Sequence, residues 1–234
     1  MIQTIHRFWG GPNPIPENYA EFGRQWESLN PGWKHILWDE QSIIDQGIIN
    51  RDVWDDLAVP VPGCRIDEIA LATQRADVIG YELVYKYGGL YVNTDIQPVR
   101  PISVLFNMYP QINELPAAPM EDNDFVVNAA LWAPEPEMFF WEQCVQYLPF
   151  RYKEYPKGTF MNATTGPHLL THVSHTFPGA LLTMSKDTFN PIHWSQVEVG
   201  HDAKFYWADL PADTIAVHHW GHRKNQRAQT PSVQ

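Results

Sequence analysis

Asn93 and Asp95 stand two residues apart, flanking Thr94, at the end of the short apolar run Leu90-Tyr91-Val92. Two oxygen-bearing side chains at a strand end can hold a hard divalent cation against a phosphate, since such cations prefer oxygen ligands. The same pair also suits an ordinary polar turn. Asp77 is a second carboxylate of interest. It falls in the middle of a helical pattern, where aspartate is disfavoured because its carboxylate competes for backbone groups. It shares a helix face with Gly80, and neither Arg75 nor Lys86 lies at the spacing of three or four that would pair with it. His218 and His219 follow the apolar run Ile215-Ala216-Val217. Strand alternation sends them to opposite faces, so one of them can join Asp95 as a metal ligand, and packing at a strand end is the other reading. Trp9 precedes Gly10 and Gly11. Its ring can stack on a nucleobase while the glycines allow close approach, or it can be a core tryptophan.

The surrounding pattern is strand and helix in alternation. Thr4 to Trp9 reads as a first strand, Glu17 to Leu29 as an amphipathic helix, and Lys34 to Trp38 as a second strand. Short helices follow around Ile43 to Gly47 and Val53 to Leu57. The longest helical pattern runs from about Ile66 to Tyr87, with an apolar stripe of Ile69, Ala72, Ala76, Ile79, Leu83, Val84 and Tyr87. Gly88 and Gly89 supply the left-handed residues that end a helix. Beyond Asp95, the stretch from Ile96 to Val99 is extended, and the proline-rich stretch up to Pro119 reads as irregular, with a short helix near Val104 to Met108. Phe125 to Trp132 is a candidate buried strand, Glu135 to Leu148 a helix, and a further helix starts at Thr165-Gly166-Pro167. Ala180 to Met184 and Thr214 to His218 are late strands. This alternation predicts an α/β fold with a mostly parallel sheet, and in open sheets of that kind ligands bind at the carboxyl ends of strands. The expected organisation is one domain over residues 1–222 with a basic tail over 223–234.

The 234 residues are 44% hydrophobic and 18% charged, which suffices for a packed core. A net charge of −11 excludes general nucleic-acid binding by a basic face, and it requires a metal or a local basic patch for any anionic nucleotide. Arg223-Lys224-Asn225-Gln226-Arg227 is the one locally basic segment. Cys64 and Cys144 lack metal-ligand spacing and read as free thiols in a reducing compartment. No apolar run approaches the ~20 residues of a membrane span, and the expected location is cytoplasmic.

Taken in order, these motifs resemble the retaining, DxD-containing glycosyltransferases of the capsular-polysaccharide and mannosyltransferase type, and more distantly the catalytic domains of clostridial glucosylating toxins. Ile5-His6-Arg7-Phe8-Trp9-Gly10-Gly11 resembles the family's first strand. The segment from Ala76 to Asp95 resembles its signature, and Thr165-Gly166-Pro167 and Ala216-Val217-His218-His219 match weaker late motifs. The resemblance implies a GT-A fold, a nucleotide-diphospho-sugar donor, UDP-linked in preference to GDP-linked, and Mn²⁺ or Mg²⁺ bridging protein and diphosphate. It also implies retention of anomeric configuration and an acceptor that is a glycan, lipid or protein. Carried onto this chain, Asp95, His218 and Asn93 become metal ligands. Asp77 and Asp95 become the catalytic carboxylates, with Asp77 accepting from donor-sugar hydroxyls, and Trp9, His6, Asn93 and Gly166 become donor contacts. Asn93 stands where the family has aspartate, Gly80 where it has a donor-binding arginine, and Arg223-Lys224 where it has Ser-Trp. The first two departures motivate a rival reading, a non-catalytic nucleotide-sugar or glycan-binding protein. The third suggests that Arg223 meets the diphosphate.

Overall fold

A computed structural model describes residues 1–59, 68–122, 125–157, 159, 161–198 and 201–221. Arg223, Lys224, the 223–234 tail and Cys64 lie outside the described residues. The chain opens with β1 (Thr4–Trp9), α1 (Glu17–Leu29), β2 (Lys34–Asp39), α2 (Glu40–Gln46) and α3 (Arg51–Leu57). The long helix α4 (Glu68–Tyr87) leads into β3 (Gly89–Val92) and β4 (Ile96–Pro98). Then come α5 (Ser103–Met108), β5 (Ala117–Pro119), β6 (Ala130–Ala133), α6 (Phe139–Glu154), α7 (Met161–Thr164), α8 (Pro167–Thr176), β7 (Leu182–Met184) and β8 (Ala216–His218).

Six strands form one mixed sheet in the order β2-β1-β3-β6-β5-β7, and β4 pairs with β8 in a separate two-stranded ladder. The β1–β2, β1–β3 and β5–β7 pairs are parallel; β3–β6 and β5–β6 are antiparallel. Two expectations from the sequence change here. The proline-rich stretch contains β5, which Pro119 can end because a strand's last residue need not donate to the ladder. The 125–132 candidate shortens to β6, with Val126 making only an isolated bridge to Met120.

Helix α4 explains how β3 comes to lie at the centre. Its buried part, Val78 to Val84, is enclosed on all sides, where the expected stripe would have covered only one. This half packs against β1, β3, β6 and α6, while Ile69 near its start is exposed. Gly88 and Gly89 then take positive φ values of 64° and 85° and turn the chain from helix to strand. A side chain at Gly89 would overlap the Thr4 carbonyl, so β3 can approach β1 only through glycine.

Pro149 lies inside α6, five residues before its end. Proline cannot donate to the carbonyl four residues back. That carbonyl, Val145 O, instead accepts from Asn50 Nδ2 at 3.1 Å, which lets the helix continue past Leu148, where sequence reasoning ended it. The buried tryptophans also find acceptors. Trp26, Trp132 and Trp141 donate to the carbonyls of Ile96, Ile112 and Trp132. These rings are core, and only Trp9 and Trp220, described below, border the site.

Candidate active site

The β4–β8 ladder builds the centre of the site. Ile96 pairs with His218, so the residue before β4 meets the residues that follow β8. His219 N donates to Asp95 O at 3.0 Å, and Gly221 N donates to Asp95 Oδ2 at 2.6 Å. His218 Nε2 stands 3.3 Å from the same Oδ2. Both side chains are buried. The Asn93–Asp95 turn is closed by Ile96 N donating to Asn93 O and is anchored to the sheet by Asn93 N donating to Ala129 O.

The hydrogen bonding of His218 defines what the pair can hold. Its Nδ1 lies 3.3 Å from Asn190 Oδ1, an acceptor that favours the tautomer with the proton on Nδ1. In the neutral ring the lone pair of Nε2 then faces the Asp95 carboxylate. Two acceptors facing each other need a positive charge between them, a proton or a cation. Two ligands at right angles on one cation, each at about 2.1 Å, lie about 3.0 Å apart, close to the observed separation. The donor set therefore fits Mn²⁺ or Mg²⁺. Such ions are commonly held by one or two protein ligands while phosphates and water complete the shell. Asn190 supplies the supporting hydrogen bond that metal-bound histidines normally have. Asn93 Oδ1 accepts from the Tyr91 hydroxyl at 3.1 Å, which leaves it a second lone pair. Among the described residues no three His, Cys, Asp or Glu side chains cluster. A metal here would have Asp95 and His218 as its charged and imidazole ligands.

Asp77 occupies a neighbouring position. Its Oδ1 accepts from Asn128 Nδ2 and its Oδ2 from Thr165 Oγ1, both at 2.8 Å. Burial raises its pKa from 3.8 to about 7, against the two hydrogen bonds, which favour the charged form. Gly166 caps α8 beside it, and a Cβ at Gly166 would stand 3.4 Å from Asp77 Oδ2. Tyr91 links the two halves. Its hydroxyl, besides reaching Asn93, donates to Ala76 O at 3.3 Å. The fields of both Asp77 and Asp95 add to burial in raising its pKa.

Gly80, where the resembled family has arginine, sits against Tyr91. A Cβ there would lie 2.9 Å from the Tyr91 ring. The space is already filled by Tyr91, so the glycine serves close helix–strand packing and opens no room for a sugar. His6 is corrected. Its Nδ1 accepts from Trp38 Nε1 and its Nε2 meets Gly88 O, both at 3.1 Å. Burial lowers its pKa to about 4. A neutral, buried ring with both nitrogens engaged pins β1 to β2 and to the end of α4, and it has no atom left for a donor. His219 likewise turns to the opposite face from His218, meeting Gln97 Oε1 and accepting from Ala203 N, both at 3.1 Å.

Trp9 borders the site through Tyr19, whose ring it meets edge-on at 6.3 Å. The Tyr19 hydroxyl packs so closely on Gly221 that any side chain there would overlap it. Burial and the charges of Asp95 and Asp202 raise its pKa. Tyr19 falls in the apolar stripe of α1 and nothing in the sequence marks it as a site residue. Asn128, Asn190 and Trp220 carry no local signal either. Trp220 has a φ of 54°, rare for a non-glycine residue, and its ring stacks on His218 at 4.1 Å.

The mixed sheet, with its acidic turn beside β3, has the GT-A fold. A family profile described as the glycosyltransferase sugar-binding region containing a DXD motif matches residues 16–117, so the resemblance carried by the sequence motifs holds. Inositol phosphoceramide mannosyltransferase 3 of Schizosaccharomyces pombe is 25% identical over 229 residues, 93% of this chain. The match spans 59% of that protein's length. Among solved structures, the PaToxG glycosyltransferase aligns at a TM-score of 0.56 and 12% identity, over 76% of this chain and 69% of that one. The UDP-bound glycosyltransferase domain of the YGT toxin aligns at 0.51 and 11%, over 78% and 79%.

Proposed function

We propose that the chain transfers a hexose from a nucleotide-diphospho-sugar to an acceptor with retention of configuration, aided by Mn²⁺ or Mg²⁺ between Asp95 and His218. The observation that carries this reading is the 3.3 Å approach of Asp95 Oδ2 to His218 Nε2, with the Nδ1 proton of that histidine favoured by Asn190. When bound, the cation neutralises charge on the departing diphosphate. Gly221 N–H holds the Asp95 carboxylate in place. Asp77, which shares the neighbour Tyr91 with Asp95, is the acceptor assigned to the donor-sugar hydroxyls. Trp9, at the end of β1, offers its ring to the nucleobase. With both Asp77 oxygens engaged by Asn128 and Thr165, departure of the diphosphate and attack of the acceptor on one face is the route that fits.

The fold of a UDP-bound toxin domain supports a UDP-sugar, and the name of the yeast relative supports mannose as the hexose. The test is calorimetry and turnover with UDP- and GDP-sugars, with and without Mn²⁺. Wild-type protein is expected to bind one donor class only with the metal and to release nucleotide slowly. Asp95→Asn and His218→Ala are each expected to weaken Mn²⁺-dependent binding by about 10-fold or more. Tight binding with no turnover for any donor and acceptor would favour the non-catalytic reading. Donor binding unaffected by metal and by both substitutions would refute the proposal.

A further inference from the structure

Trp220 holds its backbone at a φ of 54°, a left-handed value that is an outlier for a residue of its bulk. Such strain persists only where the surroundings over-determine it, and it gathers at functional sites. The β4–β8 register shows what the turn achieves. Ile96 faces His218 and Gln97 faces Val217, so a strand continued in the same register would carry Gly221 past Asp95 to a place opposite Asn93. The left-handed residue turns the chain back instead, and Gly221 N donates to Asp95 Oδ2 at 2.6 Å.

The side chain acts on the other half of the pair. The indole lies on the His218 imidazole, with centroids 4.1 Å apart and planes inclined by 29°. Its Nε1 donates to Ile192 O at 3.0 Å, which fixes the indole in turn. The same stretch of chain holds the histidine itself. Phe189 O accepts from His218 N at 3.1 Å, and Asn190 Oδ1 meets His218 Nδ1 at 3.3 Å. Both rings are buried. With one face covered and its Nδ1 edge engaged, the imidazole has no room to swing toward the indole, and Nε2 stays 3.3 Å from Asp95 Oδ2. The ring and the backbone of one residue thus serve both members of the pair.

We infer that Trp220 is the positioning residue of Asp95 and His218. Its indole sets the plane of the histidine ring, and its strained backbone delivers the Gly221 N–H that holds the carboxylate. The inference rests on the reading of these two side chains as cation ligands, and it adds to that reading a residue that acts only through them. Ligands held in place before an ion arrives need no rearrangement to bind it. The two devices are separable. Glycine adopts the left-handed conformation without strain and has no ring, so Trp220→Gly keeps the turn alone. Trp220→Phe keeps an aromatic face and lacks only the Nε1 donor.

Two measurements on the full chain test this. The EPR signal of free Mn²⁺ gives the ion affinity in the presence of UDP and, separately, of GDP. Nitrogen NMR of the imidazoles at fixed pH, without metal, gives the tautomer of His218, whose signals are identified by their loss in His218→Ala. Trp220→Gly is expected to weaken Mn²⁺ binding by about 10-fold or more, as loss of an outer partner of a metal-bound histidine does, and Trp220→Phe to stay within about threefold of wild type. Wild-type protein is expected to show one His218 tautomer and Trp220→Gly a mixture. A purely structural role would lower Tm in both variants and leave the tautomer and the Mn²⁺ affinity of folded protein unchanged, and that result overturns the inference. Should a thermal melt show that Trp220→Gly does not fold, Trp220→Asn takes its place, because asparagine also tolerates the left-handed region. Failure of both to fold makes Trp220 a folding residue and overturns the inference as well. Failure of the parent reading is distinct: wild-type protein then binds no Mn²⁺ with either nucleotide, which rejects both.

Discussion

Replacing Asp77 by asparagine separates the electrostatics of this site from its packing. Asp77 is buried, and its folded pKa of about 7 lies above the unfolded value of 3.8. Between those values the folded protein holds more protons than the unfolded chain, so this group's contribution to stability is complete below about pH 4 and is lost as pH rises through 7. At about 1.4 kcal/mol per pH unit, the loss between pH 5 and pH 8 amounts to about 3 kcal/mol. The Asp77→Asn variant would carry no such dependence. Its amide would mismatch one of the two donors, Asn128 Nδ2 or Thr165 Oγ1, at a pH-independent cost of about 1–3 kcal/mol. The variant is therefore expected to gain about 3 kcal/mol on wild type between pH 5 and pH 8 and to be the more stable of the two at pH 8. Urea unfolding followed by tryptophan fluorescence at pH 5, 6.5 and 8 measures this, and the difference between the two proteins cancels groups common to both. A stability difference that stays constant across that range would show that Asp77 is not held in a desolvated site, and the electrostatic argument would be wrong.

Three further outcomes follow from particular contacts. Gly80→Ala forces a Cβ to 2.9 Å from the Tyr91 ring and should destabilise the fold by about 1–3 kcal/mol despite alanine's better helix propensity; Tm reads the sign directly. His6→Gln can keep both polar contacts while removing a group whose folded pKa of about 4 lies below the unfolded 6.5. The wild type should lose up to about 3 kcal/mol from this group as pH falls from 6.5 to 4, and the variant should not. Asn50→Ala leaves Val145 O without its side-chain donor and should cost about 1–3 kcal/mol, whereas in a Pro149→Ala background, where the backbone can donate instead, the cost should shrink, as a double-mutant cycle would show.

Local signals carried much of this protein. Period and punctuation placed α1 at its observed bounds, because its apolar residues recur at helical spacing between Pro16 and the Asn30-Pro31-Gly32 stop. Gly88-Gly89 marked the helix-to-strand turn for the same reason that it forms, since only glycine takes those φ values beside the Thr4 carbonyl without strain. The segment from Ala76 to Asp95 was enough to point to the family whose profile matches residues 16–117. Pairing was decided elsewhere. The contact of Asp95 with His218 depends on the β4–β8 register, and nothing near either residue specifies that partner. The contacts of Gly80 and His6 could not be read locally because burial is set by the whole fold: the Tyr91 ring comes to rest on the glycine, and the Trp38 indole and the Gly88 carbonyl take both histidine nitrogens. The expected helix ended at Leu148, short of the observed Glu154, because the donor that accommodates Pro149 comes from Asn50, far back in the chain. Residue types and spacing determined which chemistry could be proposed for this chain. Tertiary packing alone decided which atoms face one another, because desolvation and hydrogen-bond pairing depend on neighbours brought in from distant parts of the sequence.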